Sequence, residues 1–368
     1  MTIGFSRRQG LLGGLAITAS APTLAAKRKK RNAETNLDLG PLDEIADKLL
    51  VHLRETATYN GTSGALNGGL LARQMDDYSP AGEASLRQAY TDAHDFMARI
   101  RIRGDSPAAR HVGTINAILE NATRSSVIPY GRINVLTFTG HSPYVVSQIS
   151  GPHIDGINIM MEQQALGSPK AVDAWIEKLD AFPNSFAGVI EKMRADRAAG
   201  CIPPKILLEK TLPVLDDFLA LSPADHPLMK AFASKMLRAG LSKRTRSTAI
   251  KRAVLALEKS AKPALQALRD EIAALAPDGR IDSGVWAQPQ GDALYAANVI
   301  AQGDTQLTPD EIHRLGADEI SRIAAEMNGI LAGQGLTKGG IGERMAALAK
   351  DPKNLFADSD TGREALLS

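Results

Sequence analysis

From Leu42 onward the apolar residues return every three or four positions, the spacing of one helical face. Leu42, Ile45, Leu49 and Leu53 make the first stripe, and Leu86, Ala93, Phe96, Met97 and Ile100 make a second. Val172, Trp175, Ile176 and Leu179 lead directly into Phe186, Val189, Ile190 and Met193. Ser or Thr followed by Pro, the pairing of an N-cap with a first-turn residue that needs no N–H partner, stands at Ser106-Pro107, Ser168-Pro169, Ser222-Pro223 and Thr308-Pro309. Glu311, three positions after Thr308, predicts a capping box. Residues 242–276 predict one or two long helices, kinked or broken at Pro263, and 309–332 predict another.

Gly, Pro, Ser, Thr and Asn gather at 56–82, 127–154 and 277–292, which predicts irregular connections there. Within the middle one, 133–138 reads as a short strand. Gly333, Gly335, Gly339, Gly340 and Gly342 follow a predicted helix rather than a strand, so they read as a helix–helix connection and not as a nucleotide fingerprint. No strand–helix alternation runs through the chain, and the fold class predicted is mainly α, a multi-helix architecture.

Composition narrows the function classes. With 44% hydrophobic and 23% charged residues in 368, the chain is an ordinary globular one. A single cysteine, Cys201, excludes an internal disulfide framework and any multi-cysteine metal site. No apolar run has the ~18 residues of a transmembrane helix. Ser6-Arg7-Arg8, a weakly apolar stretch over 10–21 and small residues up to Ala26 predict a twin-arginine signal peptide over 1–26, hence a periplasmic or secreted protein. A basic linker over 27–36 and a helical domain over 37–368 complete the expected organisation. Without residues 1–26 the net charge of +2 falls to zero, and the Lys27-Arg28-Lys29-Lys30-Arg31 run leaves a net-acidic body. That balance argues against nucleic acid as a partner. The second basic cluster, Lys243-Arg244-Thr245-Arg246, reads as having acidic neighbours and almost no aromatics for base stacking.

The chemistry-bearing motifs are few. The chain has no Gly-x-Ser-x-Gly elbow, no Ser-x-x-Lys pair and no Gly-Lys of a P-loop. Its seven histidines are His52, His94, His111, His141, His153, His226 and His313, none within eleven positions of another. A helical zinc site needs two imidazoles one turn apart with a Glu beside the first, so the sequence predicts no local metal site and no catalytic residue. Four residues are candidates for lining a cleft. His141 stands among polar neighbours in an irregular segment, Tyr144 lies three positions on, Tyr295 follows the 277–292 loop, and His313 falls in the first turn after Thr308. The alternative for each histidine is a ring hydrogen-bonded to backbone, and for Tyr295 simple packing.

Four stretches in order resemble the bacterial domain-of-unknown-function family 885. They are Ala57-Thr58-Tyr59-Asn60-Gly61 with Asp76-Asp77-Tyr78-Ser79-Pro80-Ala81-Gly82; 143–151, from Pro143-Tyr144-Val145 to Ser150-Gly151; 168–179 with 194–204, including Ala199-Gly200-Cys201-Ile202-Pro203-Pro204; and 307–316 running on to Asp351-Pro352. The resemblance implies an exported helical protein distantly similar to zinc peptidases of the gluzincin type. It places the zinc-binding motif of full-length members downstream of the Thr308 segment, so this chain corresponds to their N-terminal part and lacks the C-terminal third. Zinc is thus implied for full-length members, and no cofactor for this chain. At Gln288-Pro289-Gln290-Gly291 the sequence departs from the family's Leu-Pro turn. The function expected is an N-terminal part of a peptidase-like hydrolase, inactive alone, with a C-terminal partner chain or peptide as its partner. The alternative is a non-catalytic helical protein that binds peptides or a partner.

Overall fold

A computed structural model describes residues 40–100, 106–134 and 140–368. The signal peptide and linker expected over 1–36 lie outside the described residues, as does the end of the predicted 133–138 strand. The chain divides into two compact units, Met1–Thr305 and Gln306–Ser368. Both are helical, as the apolar spacing predicts.

In the first unit the helices are α1 (Gly40–Leu50), α2 (Arg54–Tyr59), α3 (Pro80–Met97) and α4 (Pro107–Ser125), then α5 (Asp155–Glu162), α6 (Pro169–Asp180), α7 (Phe182–Ala198) and α8 (Lys205–Ala220). They continue as α9 (Pro227–Arg238), α10 (Lys243–Ala256), α11 (Lys262–Leu275) and α12 (Gly291–Gly303). Between α4 and α5 lies an antiparallel pair, β1 (Arg132–Asn134) and β2 (Gly140–Ser142). A 3₁₀ segment, Leu66–Arg73, packs on α6.

Two stripes fill two cores. Leu42, Ile45 and Leu49 of α1 meet Leu86 and Tyr90 of α3, Ile115 and Leu119 of α4, and Ile133 of β1. The larger core gathers α5 to α11 around Trp175, whose ring stacks on Phe232 at 4.2 Å between centroids. The indole N–H of Trp175 donates to the Met160 carbonyl at 3.1 Å, so the buried aromatic leaves no polar atom unpaired.

Helix starts follow the cap chemistry with one exception. Ser106, Ser168 and Thr308 each accept from a backbone N–H inside the first turn, and Ser79 does the same ahead of Pro80. Ser222-Pro223 does not open a helix. The Ser222 hydroxyl donates to the Asp225 carboxylate at 2.9 Å, forming a turn, and the helix begins four residues later with His226 as cap. Pro263 does not break the long helical stretch either. Leu257–Ala261 forms a π turn, with Lys262 N–H donating to the Leu257 carbonyl. The wider turn moves aside the carbonyls that a proline ring would strike in an ordinary helix.

In the second unit α13 (Pro309–Gly333) packs on α14 (Ile341–Ala349), and α15 (Asp360–Leu367) follows. Thr308 and Glu311 complete the predicted capping box, with Thr308 N–H donating to Glu311 Oε2 at 2.8 Å. The glycine-rich stretch is the α13–α14 connection.

Candidate functional site

The β1–β2 pair rests on α3, α4 and α12 and carries His141 into the interior. Gly131 closes the approach to β1 at φ +70, and a Cβ there would lie 2.1 Å from the Ser142 carbonyl oxygen, so only glycine fits. His141 is 1% exposed. Its Nε2 donates to the Tyr130 carbonyl at 2.7 Å, which fixes the proton on that nitrogen. Nδ1 has no hydrogen-bond partner among the described residues. Burial pushes the His141 pKa down to about 4, so the ring is neutral at pH 7. Asn298 of α12 holds the His141 peptide from both sides, accepting from its N–H at 3.0 Å and donating to its carbonyl at 2.9 Å.

Tyr144 is half-buried beside a small cavity of about 20 Å³, room for a single water, whose wall includes Asp196, Cys201 and Leu275. Gln288 fixes this wall. Its amide donates to the Tyr144 hydroxyl at 2.9 Å and to the Ile202 carbonyl at 2.7 Å, while its oxygen accepts from Ile202 N–H at 3.1 Å. Gln288 is thus a buried bridge between Tyr144 and Ile202. Burial pushes the Tyr144 phenol and the Cys201 thiol both up to about 12, so neither is ionised at neutral pH and Cys201 is no thiolate nucleophile.

Of the four cleft candidates, the structure places His141 and Tyr144 on one buried hairpin and its exit. Tyr295 shares α12 with Asn298 but is half exposed. His313 lies exposed in the second unit.

Sequence reasoning missed the polar path that begins at the Tyr130 carbonyl. Arg87 Nη2 donates to that same oxygen at 3.1 Å and its Nε to Glu83 Oε1 at 2.8 Å, which also accepts from Ile133 N–H at 3.1 Å. Arg132 then lies 3.5 Å from Glu83 and 2.8 Å from Asp76, its guanidinium 4.3 Å from the centre of the Tyr78 ring. Asp76 and Glu55 exchange bonds with each other's backbone: Glu55 N–H donates to Asp76 Oδ1 at 3.0 Å and Asp76 N–H to Glu55 Oε1 at 3.4 Å. The Tyr78 hydroxyl donates to Glu55 Oε2 at 2.8 Å. Burial, with Asp76 adding to it, drives the Glu55 carboxyl well above the usual range, and burial drives the Lys178 ammonium down. Lys178 Nζ donates to Thr58 Oγ1 at 3.3 Å. One signal was available: Lys178 occupies the buried face of α6, between Trp175 and Phe182.

Among the described residues no group of three or more His, Cys, Asp or Glu side chains stands where it could hold a metal ion. The zinc that the resemblance implies for full-length members is thus not tied to any donor set among these described residues. No helix of the described residues is long and apolar enough to cross a membrane.

The family profile described as "Bacterial protein of unknown function (DUF885)" matches residues 55–368. A crystal structure described as "the putative lipoprotein from Colwellia psychrerythraea" superposes with a TM-score of 0.77 at 31% identity, covering 88% of this chain. This chain spans 55% of that protein's length. No curated protein matches.

Proposed function

The chain belongs to the DUF885 family, and from that footing we propose that it is the helical N-terminal part of an exported, zinc-dependent peptidase-like hydrolase. In this reading it forms one wall of a substrate cleft and is inactive alone, the metal donors belonging to a complementary portion. The observation that carries the reading is α13. Ile312, Leu315, Ile320, Ile323, Met327 and Ile330 recur at helical spacing, yet Leu315, Ile320, Ile323 and Ile330 are exposed, Ile320 at 71%. An amphipathic helix of 25 residues ordinarily buries such a stripe, and an uncovered one fits an interaction face. The longer Colwellia protein supports a fold that continues past the matched region, and its description as a lipoprotein supports export.

The test is to purify the chain alone and together with a C-terminal portion of a full-length family member that bears an H-E-x-x-H helix. The chain alone should bind a hydrophobic dye, self-associate and leave dipeptides intact. The complementing portion should quench the dye and give chelator-sensitive cleavage. A dye-silent monomer with a cooperative melt would overturn the proposal. Quenching by peptides with no cleavage in the combined sample would favour the non-catalytic binding protein.

A further inference from the structure

Residues 227–257, which build α9 and α10, hold eight Lys and Arg and no Asp or Glu, in a chain with 43 basic and 41 acidic residues. Four of the eight are engaged. Lys230 lies 3.6 Å from Asp225, Arg252 lies 2.6 Å from Asp173, Lys235 donates to the Gln164 carbonyl, and Arg246 donates to the Leu241 carbonyl. The other four, Arg238, Lys243, Arg244 and Lys251, are exposed and pair with no acid among the described residues. The acidic neighbours expected around Lys243–Arg246 are absent, since no acid stands between Asp225 and Glu258; Asp225 and Asp173 neutralise only Lys230 and Arg252.

The geometry of α10 sorts its residues. Ala249, Ala253 and Ala256 are buried, while Arg244, Thr248, Lys251 and Leu255, three or four apart, face solvent. Leu255 is 60% exposed within this cationic row, and Leu237, beside Arg238 at the end of α9, is 61% exposed. Cations flanking uncovered leucines make the pattern of a helix lying in a headgroup layer: the charges meet phosphates and the aliphatic side chains enter the acyl boundary. Nucleic acid would satisfy the charges but not the leucines. The one aromatic of the pair, Phe232, is stacked on Trp175 and offers no platform for a base.

We infer that the exposed face of the α9–α10 pair docks on an anionic phospholipid bilayer. The probe is sedimentation of the full chain with vesicles of phosphatidylcholine, with and without 30% phosphatidylglycerol. Each cation near such a surface is worth about a fivefold change in partitioning, so Arg244→Ala with Lys251→Ala should lower it about 25-fold on anionic vesicles. Leu255→Ser should lower it severalfold while leaving the salt dependence unchanged. The Lys27–Arg31 run is common to every variant, so the differences report this face alone. All changes are on the surface, and an unchanged circular dichroism spectrum confirms folding. Unaltered partitioning of the double variant would overturn the inference. A Leu255→Ser variant that binds as wild type, together with equal retention of both on heparin, would reduce the face to a site for any polyanion and overturn it as well.

Discussion

The Asn298 side chain replaces a neighbouring strand for His141, giving its oxygen to the His141 N–H at 3.0 Å and its amide to the His141 carbonyl at 2.9 Å. A two-stranded pair has one free edge on each strand, and at β2 a helix supplies the missing partner. Asn298→Ala should leave both groups unpaired and destabilise the fold by about 3 kcal/mol, read from the urea midpoint. Asn298→Asp keeps the acceptor but sets a second carboxylate oxygen against the His141 carbonyl, so it should cost at least as much.

Stability should fall in mild acid. Burial lowers the pKa of His141 and of His153 to about 4, against 6.5 unperturbed. The unfolded chain therefore binds these two protons more tightly than the folded one. Their contribution is whole above pH 6.5 and is lost as the pH falls towards 4, on the order of 3 kcal/mol for each ring. Urea titrations between pH 7 and pH 4 measure the slope. His141→Gln should shallow it by about one proton, and an unchanged slope would contradict the burial argument.

The charged path makes two opposite predictions for neighbouring residues. Arg132→Met leaves Asp76 and Glu83 as buried carboxylates without their shared cation, a loss of about 3–5 kcal/mol. Glu55→Gln should cost under about 1 kcal/mol, because the carboxyl is already driven towards its neutral form and an amide retains the acceptor for Asp76 N–H. Thermal melts of the two variants distinguish them directly.

Gln288→Leu installs an apolar side chain of similar reach and removes both polar atoms of the amide. It removes the partners of Ile202 N–H and of its carbonyl together with the donor to Tyr144, and should cost about 2–4 kcal/mol by chemical denaturation.

Legibility in the sequence tracked distance along the chain. Stripes such as Leu42, Ile45 and Leu49 are local, and so is the Thr308–Glu311 box; both appear as the spacing predicts. Ser222-Pro223 failed because Asp225, three residues on, takes the Ser222 hydroxyl, and the true cap is a histidine, a residue outside the usual cap set. His141 stood out by its neighbours, but Asn298 is 157 positions away and Gln288 is 144 from Tyr144. Glu55, Asp76, Glu83, Arg132 and Lys178 come from three helices, a loop and a strand, and no short spacing links them.

The π turn at Leu257–Ala261 carries one more residue than an ordinary turn. Elsewhere in a helix, deleting a residue swings everything downstream through about 100° and takes the buried face out of the core. Here the surplus sits between Ala253 and Ala256 on one side and Leu265 and Leu268 on the other, all in the same core. Loss of Lys259, with Pro263→Ala to remove the ring that needs the wider turn, would close it to ordinary pitch and keep both faces aimed inward. The α10–α11 stretch thus contains a position where the reading frame of the fold tolerates a change in chain length, a mark of how a helix can absorb an insertion without surrendering its packing.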